Sequence, residues 1–301
     1  MTASDQTIPQ ETGTETEHRD DRWRRAFFRF RQSRLSMAGA AIVAVVLFFT
    51  LFGGLLAPYP DQVAGAVDTA NRFLPPSWAH PFGTNELGQD VMSLVMAGTS
   101  VSVIAGFSVV LIGSVIGTLV GAVAGFVGGW IDEILMRLTD LTMTIPSLIL
   151  AMAIAAALGP GFANMVIAIS LSWWPGYARI VRGEVLAARE EVYVNAARAI
   201  GASPARILFR HILPNTVSPI IVKMSLDMGF AILTVAGLGF IGIGVRPPTP
   251  EWGTLLSLSR SYMPDYWWTA MAPGLAMFMA VFGFNLLGDG LRDILDPKAR
   301  R

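Results

Sequence analysis

The chain has 301 residues, 53% of them hydrophobic and 15% charged, with zero formal net charge and a mean hydropathy of +0.53. That apolarity excludes an ordinary soluble domain, and the balanced charge leaves no overall basic field to attract a nucleic acid. There is no cysteine, the histidines are only His18, His80 and His211, and neither lysine (Lys223, Lys298) follows a glycine; no metal centre, redox pair, phosphate-cradling loop or catalytic residue is therefore expected.

Residues 1–18 are rich in Thr, Gln, Glu and Ser and lack any core-forming pattern, which predicts a disordered tail. They also lack the basic n-region of a cleavable signal peptide, so none is expected. From Arg19 to Arg34 the chain is basic, with Trp23, Phe27 and Phe30 at helical spacing. This suits either an amphipathic helix on an anionic inner leaflet or a charged flank that fixes topology, and both readings put it in the cytoplasm. Met37 to Ala57 is uncharged, apolar and long enough to span a bilayer. Pro58 and Pro60 end it, and the proline-rich, acid-bearing stretch that follows, to about Met96, is assigned to the outside. These segments make up an N-terminal portion, 19–96.

A second span is expected from about Val101 to Val127. Within it Gly113, Gly117, Gly121 and Gly125 recur every fourth residue and form one stripe. Such a stripe admits a close neighbouring helix, either within the bundle or from another subunit. Asp132, Glu133, Arg137 and Asp140 then mark the inner end of a third span that continues, kinked at Pro146, to about Leu158, with Glu133 and Arg137 on one helix face. Gly159-Pro160-Gly161 is a turn. The fourth span starts near Asn164 and ends at an aromatic and basic border of Trp173, Trp174, Tyr177, Arg179 and Arg182. A fifth, from about Thr216 to Gly244, carries Lys223 and Asp227 one turn apart, as a structural pair or as a polar lining of a path. The last span is about Ala270 to Leu287, with Trp267 and Trp268 at its outer edge. Only Arg72, Arg246 and Arg260 fall outside on this layout, a positive-inside bias that puts both termini in the cytoplasm.

Between the fourth and fifth spans lies a polar, basic stretch, Tyr193 to Pro214, reading YVNAARAIGASPARILFRHILP. Ala196 to Ala199 favour a helix, Gly201 supplies a left-handed stop, Ser203 caps a second helix and Pro204 takes its first turn, with Pro214 closing it. The order Ala-Ala, three residues, Gly, then about ten residues to Leu-Pro resembles the "EAA" coupling loop of bacterial ABC importer permeases. Ala196, Ala197, Gly201, Leu213 and Pro214 match that pattern, Asn195 stands in place of its Glu, and His211 in place of its Ile. The strings from His80 to Ser93, from Arg246 to Gly253 and from Asn285 to Pro297 resemble the dipeptide, oligopeptide and nickel branch; Gln89 stands where that branch often has Arg.

The resemblance implies an all-α integral membrane protein with about six spans of the type I ABC importer permease fold, with a permease core at 97–292, a coupling loop at about 187–214 and a cytoplasmic tail at 293–301. It implies a multi-pass subunit of the bacterial cytoplasmic membrane without an ATP site of its own, carrying di- or oligopeptides, or alternatively nickel or another solute. The implied partners are a homologous second permease, two cytoplasmic ATPase domains that bind ATP and Mg, and an extracytoplasmic peptide-binding protein. Asn195, Ala196, Ala197, Gly201, Ala202, Ser203, Pro204, Arg206 and Pro214 would then couple to the ATPase. Two other classes compete on single features. Gly98-Thr-Ser100 has the Gly-x-Ser form of a membrane serine protease, but no histidine lies in any apolar run to serve as its base. An ion-coupled carrier would use Lys223 and Asp227.

Overall fold

A computed structural model of the chain describes residue 31 and residues 33–295. The N-terminal tail, nearly all of the basic segment with Trp23, Phe27 and Phe30, and the C-terminal basic residues lie outside the described residues. The remainder is helical: α1 (Arg34–Leu56), α2 (Val91–Val127), α3 (Gly129–Thr144), α4 (Ser147–Leu158), α5 (Phe162–Ala188), α6 (Val192–Ala199), α7 (Pro204–Arg206), α8 (Val217–Ile241), α9 (Trp252–Ser259) and α10 (Trp268–Leu295). By length and composition α1, α2, α8 and α10 can each cross a bilayer, and α3 with α4 makes a fifth crossing if counted as one bent span. The 27-residue α5 occupies the place of the expected fourth span, but Trp173, Trp174, Tyr177, Arg179, Arg182 and Glu184 make it too polar to join that set.

α2 is the axle of the bundle. At 37 residues it runs about 56 Å and packs against α1, α5, α8 and α10. It begins at Val91, ten residues before the expected Val101. Asp90 caps it by accepting from Ser93 N at 2.8 Å and Ser93 Oγ at 2.7 Å. Ser93, Thr99 and Ser102 in that first stretch are buried within protein, where hydrogen bonding to their own helix, its cap or Glu251 removes the cost of their hydroxyls.

The glycine stripe meets α5. A Cβ built on Gly117 would overlap the Trp174 carbonyl and lie 2.9 Å from Ala178 N; on Gly121 it would lie 3.0 Å from Ala178 C and Arg182 N; on Gly125, 2.9 Å from Arg182 O. Backbone therefore lies on backbone along two helical turns, so the stripe serves contact inside the chain. Gly113 has more room, its nearest neighbour being Trp173 Cβ at 3.6 Å.

The expected kink at Pro146 is instead a break of 90°. Ile145 and Pro146 are extended (ψ 127° and 126°), because proline has no N–H to continue the helix and disfavours helical geometry in the residue before it. The acids preceding the break pair with α5: Arg182 grips Asp132 with two bonds of 2.6 and 2.7 Å, and Arg179 meets Asp140 at 2.6 Å. Bidentate pairing of this kind fixes direction as well as distance. Glu133 and Arg137 bond along α3.

On the other side of the bundle, residues 57–90 fold into a polar cap. Gln89 donates to Gln62 O at 3.2 Å and Ala66 O at 3.0 Å and accepts from Asn85 at 3.0 Å, so its position is held by an amide network. Phe73 stacks on Tyr266 at 3.9 Å, and Trp268 Nε1 donates to Thr84 O.

A side chain at Gly121 has nowhere to go, whereas a Cβ at Gly183 on α5 meets nothing within 4 Å. Gly121→Leu is expected to lower the thermal midpoint of the detergent-solubilised protein by more than about 5 °C, the scale of overpacking losses of about 1–3 kcal/mol or more. Gly183→Ala is expected to leave it unchanged or slightly raised. Tryptophan-fluorescence melting of both variants checks the contrast.

Candidate functional site

The corner between α5 and α8 is built by local chemistry. α6 ends in a paired motif: Gly201 N donates to Arg198 O at 3.0 Å and Ala202 N to Ala197 O at 3.0 Å, with Gly201 at φ +79°. This is the left-handed helix stop that only glycine enters without steric cost. Ser203 then accepts from Arg206 N at 3.4 Å, and Pro204 occupies the first turn of α7. α7 does not run on as a regular helix to Pro214. It widens into a π-helical stretch, Ile207–Ile212, and tightens into a 3₁₀ turn, Leu213–Asn215, that leads straight into α8. Pro214 sits inside that turn rather than closing the helix before it. π-helical turns are rare and recur at functional sites.

The corner has two faces. Val194, Ala197, Ile207, Leu208 and Ile212 are buried against Tyr177, Val181 and Val185 of α5 and Ala122 of α2, with Ala202 packed at the edge. Ala197 and Ala202, placed in the sequence among the coupling residues, thus point into the bundle. Asn195, Ala196, Gly201, Ser203, Pro204, Arg206 and Pro214 are exposed. Beside them stand apolar side chains that the sequence reading passed over: Ile200 is 85% exposed, Val192 81% and Phe209 56%. Three large apolar side chains so exposed on a short, basic corner are of the sort that partner proteins cover. The signal was present as apolar residues out of phase with the buried face.

Lys223 and Asp227 lie elsewhere, on α8, as a pair with Nζ to Oδ2 at 3.0 Å. They open onto a recess of about 450 Å³ that also includes Pro146 and Ser147 at the helix break and Trp173 and Gly176 of α5. Lys223 Nζ stands 4.9 Å above the Tyr177 ring. Ser100, the candidate nucleophile of the protease reading, donates to the Ala97 carbonyl of its own helix at 2.8 Å, and no histidine is hydrogen-bonded to it among the described residues.

A further residue emerged only from the fold. Glu251 is fully buried and caps α9, accepting from Gly253 N at 2.8 Å and Thr254 N at 2.9 Å. Thr254 Oγ1 and Ser102 Oγ also donate to it, the latter from α2, and its carboxylate fills the space beside Gly239 of α8. Burial pushes its carboxyl up from the usual carboxylate range, opposed by those four donors. One side chain thus joins α2, α8 and α9.

Residues 117–301 match the family described as "Binding-protein-dependent transport system inner membrane component", and residues 21–76 match the "N-terminal TM domain of oligopeptide transport permease C". The chain is 43% identical to the probable D,D-dipeptide transport system permease protein DdpC of Escherichia coli (strain K12) over 267 residues, 89% of each chain. It is 42% identical to the glutathione transport system permease protein GsiD of Escherichia coli O6:K15:H31 over 278 residues, 92% of this chain and 91% of that one. Among solved structures, a chain of the inward-facing MetNI methionine ABC transporter superposes with a TM-score of 0.56 at 18% identity, covering 68% of this chain and 97% of that one.

Replacing Glu251 by Ala strands the amides of Gly253 and Thr254 and the Ser102 hydroxyl in a dry site. The expected cost is about 1–3 kcal/mol, read as a lowered thermal midpoint, with Glu251→Gln losing less because its amide oxygen still accepts.

Proposed function

The chain belongs to the binding-protein-dependent transport permeases, and from that premise we propose that it is the C-type permease subunit of an ATP-driven importer of short peptides. The fold is that of type I ABC importer permeases, and the subunits of this family are permeases rather than enzymes. The family works with ATPases, a binding protein and a second permease. For this chain we assign an extracytoplasmic peptide-binding protein, a homologous permease and two cytoplasmic ATPase domains that hold ATP and Mg. We place it in the bacterial cytoplasmic membrane with both termini inside.

The observation that carries this reading is the two-faced corner. Its inner face is one apolar core with α5 and the end of α2, and its outer face presents Ile200, Val192 and Phe209 beside Arg198 and Arg206. An ATPase groove closing on that outer face would move the corner, and the buried face would carry the displacement into the spans. The missing Glu at Asn195 then matters little, because apolar contact and geometry do the work. Switching between outward-open and inward-open states needs only a difference of a few kcal/mol between them. Peptide as cargo is supported by the relatives named for D,D-dipeptide and glutathione transport.

Gly201 has no neighbour within 4 Å of a built Cβ, so Gly201→Val costs only the left-handed backbone, about 1–2 kcal/mol, which straightening the corner relieves. In proteoliposomes of the complete complex this variant is expected to lose at least about tenfold of ATP-driven dipeptide uptake, a barrier change near 1.4 kcal/mol, while ATP hydrolysis continues. Ile200→Asp is expected to weaken recovery of the ATPase with the subunit by about tenfold. Unaltered uptake in Gly201→Val would refute the coupling role, and no uptake by the wild-type complex would refute peptide as cargo.

A further inference from the structure

Lys223 and Asp227 lie six and ten residues into α8, about 9 and 15 Å along its axis from Val217. At that depth an ion pair is costly unless it faces protein or a water-filled space. Here it faces the recess between α8, α5 and the α3–α4 break. The pair is partly exposed there, with side-chain exposures of 26% and 15%.

Three features around this recess are unfinished within the chain. Lys223 has three donor protons, yet its hydrogen bonds go to Asp227 alone among the described residues. α4 begins at Ser147 with Pro146 before it and no side-chain cap, so its first amides are open at the recess wall. Beneath Lys223, Tyr177 is only 1% exposed, and its hydroxyl, close to Asp227, makes no hydrogen bond of good geometry among the described residues. Buried polar groups ordinarily find partners, so a phenol held beneath a paired ammonium is placed to exchange hydrogen bonds with that pair.

We propose that this recess docks the two charged ends of a free peptide. Lys223, with the open amides at the head of α4, receives the α-carboxylate; Asp227 receives the α-ammonium. Tyr177 is the positioning residue: as Lys223 turns to the ligand, the hydroxyl donates to Asp227 in its place. The spacing suits a short peptide. The charged groups stand 3.0 Å apart as a pair on side chains whose Cβ atoms are about 5–6 Å apart, and an extended dipeptide of at most about 7 Å enters by parting them as the lysine swings away. Trp173 and Phe230 on the same walls offer apolar surface to the peptide's side chains. The inference rests on the reading of the chain as a peptide permease and adds to it the residues that touch the cargo.

The test uses the complete complex in proteoliposomes, with the binding protein saturated by each probe so that its own selection is held constant. The probes are Ala-Ala, Ala-Ala-amide and N-acetyl-Ala-Ala. Wild type is expected to favour Ala-Ala over both blocked forms. Lys223→Gln is expected to cut the preference over the amide by about tenfold, and Asp227→Asn the preference over the acetylated form by about tenfold, the scale of one charge-assisted contact. Tyr177→Phe is expected to raise half-saturation for Ala-Ala and leave the maximal rate. The exchanged double variant Lys223→Asp with Asp227→Lys keeps an ion pair and so restores a merely structural role. Single variants that reduce all three probes by one common factor, with the exchanged variant restoring all three alike, would overturn the inference. Failure of the wild-type complex to take up any probe would overturn the peptide reading itself and this inference with it, whereas wild-type uptake with unchanged preferences in the variants would overturn this inference alone.

Discussion

The bundle depends on the approach of two backbones. Along Gly117, Gly121 and Gly125 of the helix Val91–Val127, the carbonyls and amides of Trp174, Ala178 and Arg182 come so near that no side chain fits between. In a bilayer, burying apolar surface against another helix releases little free energy, since lipid is equally apolar, so association relies on close van der Waals contact. Other placements follow from this one. The helix Phe162–Ala188 is too polar to be an obvious span, and its line of contact with the glycines holds it in register. That register brings Arg179 and Arg182 to Asp140 and Asp132, Tyr177 under Lys223, and Val181 and Val185 beneath the corner.

How much of this was legible in the sequence varies with the range of the interaction. The corner was legible because its signals are local: Gly201 at a helix stop, Ser203 as a cap and Pro204 in a first turn each act within a few residues. The glycine stripe was legible as a face but not as an address, because its periodicity does not say which helix lies opposite. Asp132 with Arg182 and Asp140 with Arg179 are separated by 50 and 39 positions, so only the neighbouring pair Glu133 and Arg137 could be read from spacing. The start of the helix at Val91 was hidden because Ser93, Thr99 and Ser102 look like loop residues until burial inside protein is known. Glu251 was hidden for the same reason: an isolated acid after prolines gives no hint that four donors from two helices converge on it.

The candidate site divides along the same line. Its exposed half could be placed from sequence, whereas the direction of Ala197 and Ala202 could not, since a two-helix corner has no single periodicity. The recess around Lys223 and Asp227 is assembled from three helices and a break, and the break itself is sharper than one proline suggests. The two arginine clamps account for part of that sharpness. They hold Gly129–Thr144 to its neighbour, and Ser147–Leu158 takes its own direction beyond the extended pair Ile145 and Pro146.

The corner's buried face also settles where slack can exist. Ile207, Leu208 and Ile212 share a core with Val181 and Val185, and directly behind that core lies the glycine contact, which has no side-chain layer to compress. A push on the corner would therefore meet low compliance for the whole distance to Gly117, as in a gear train without backlash. Flexing under such a push would fall beyond it, at the extended residues 145–146 or at the entry to Val217.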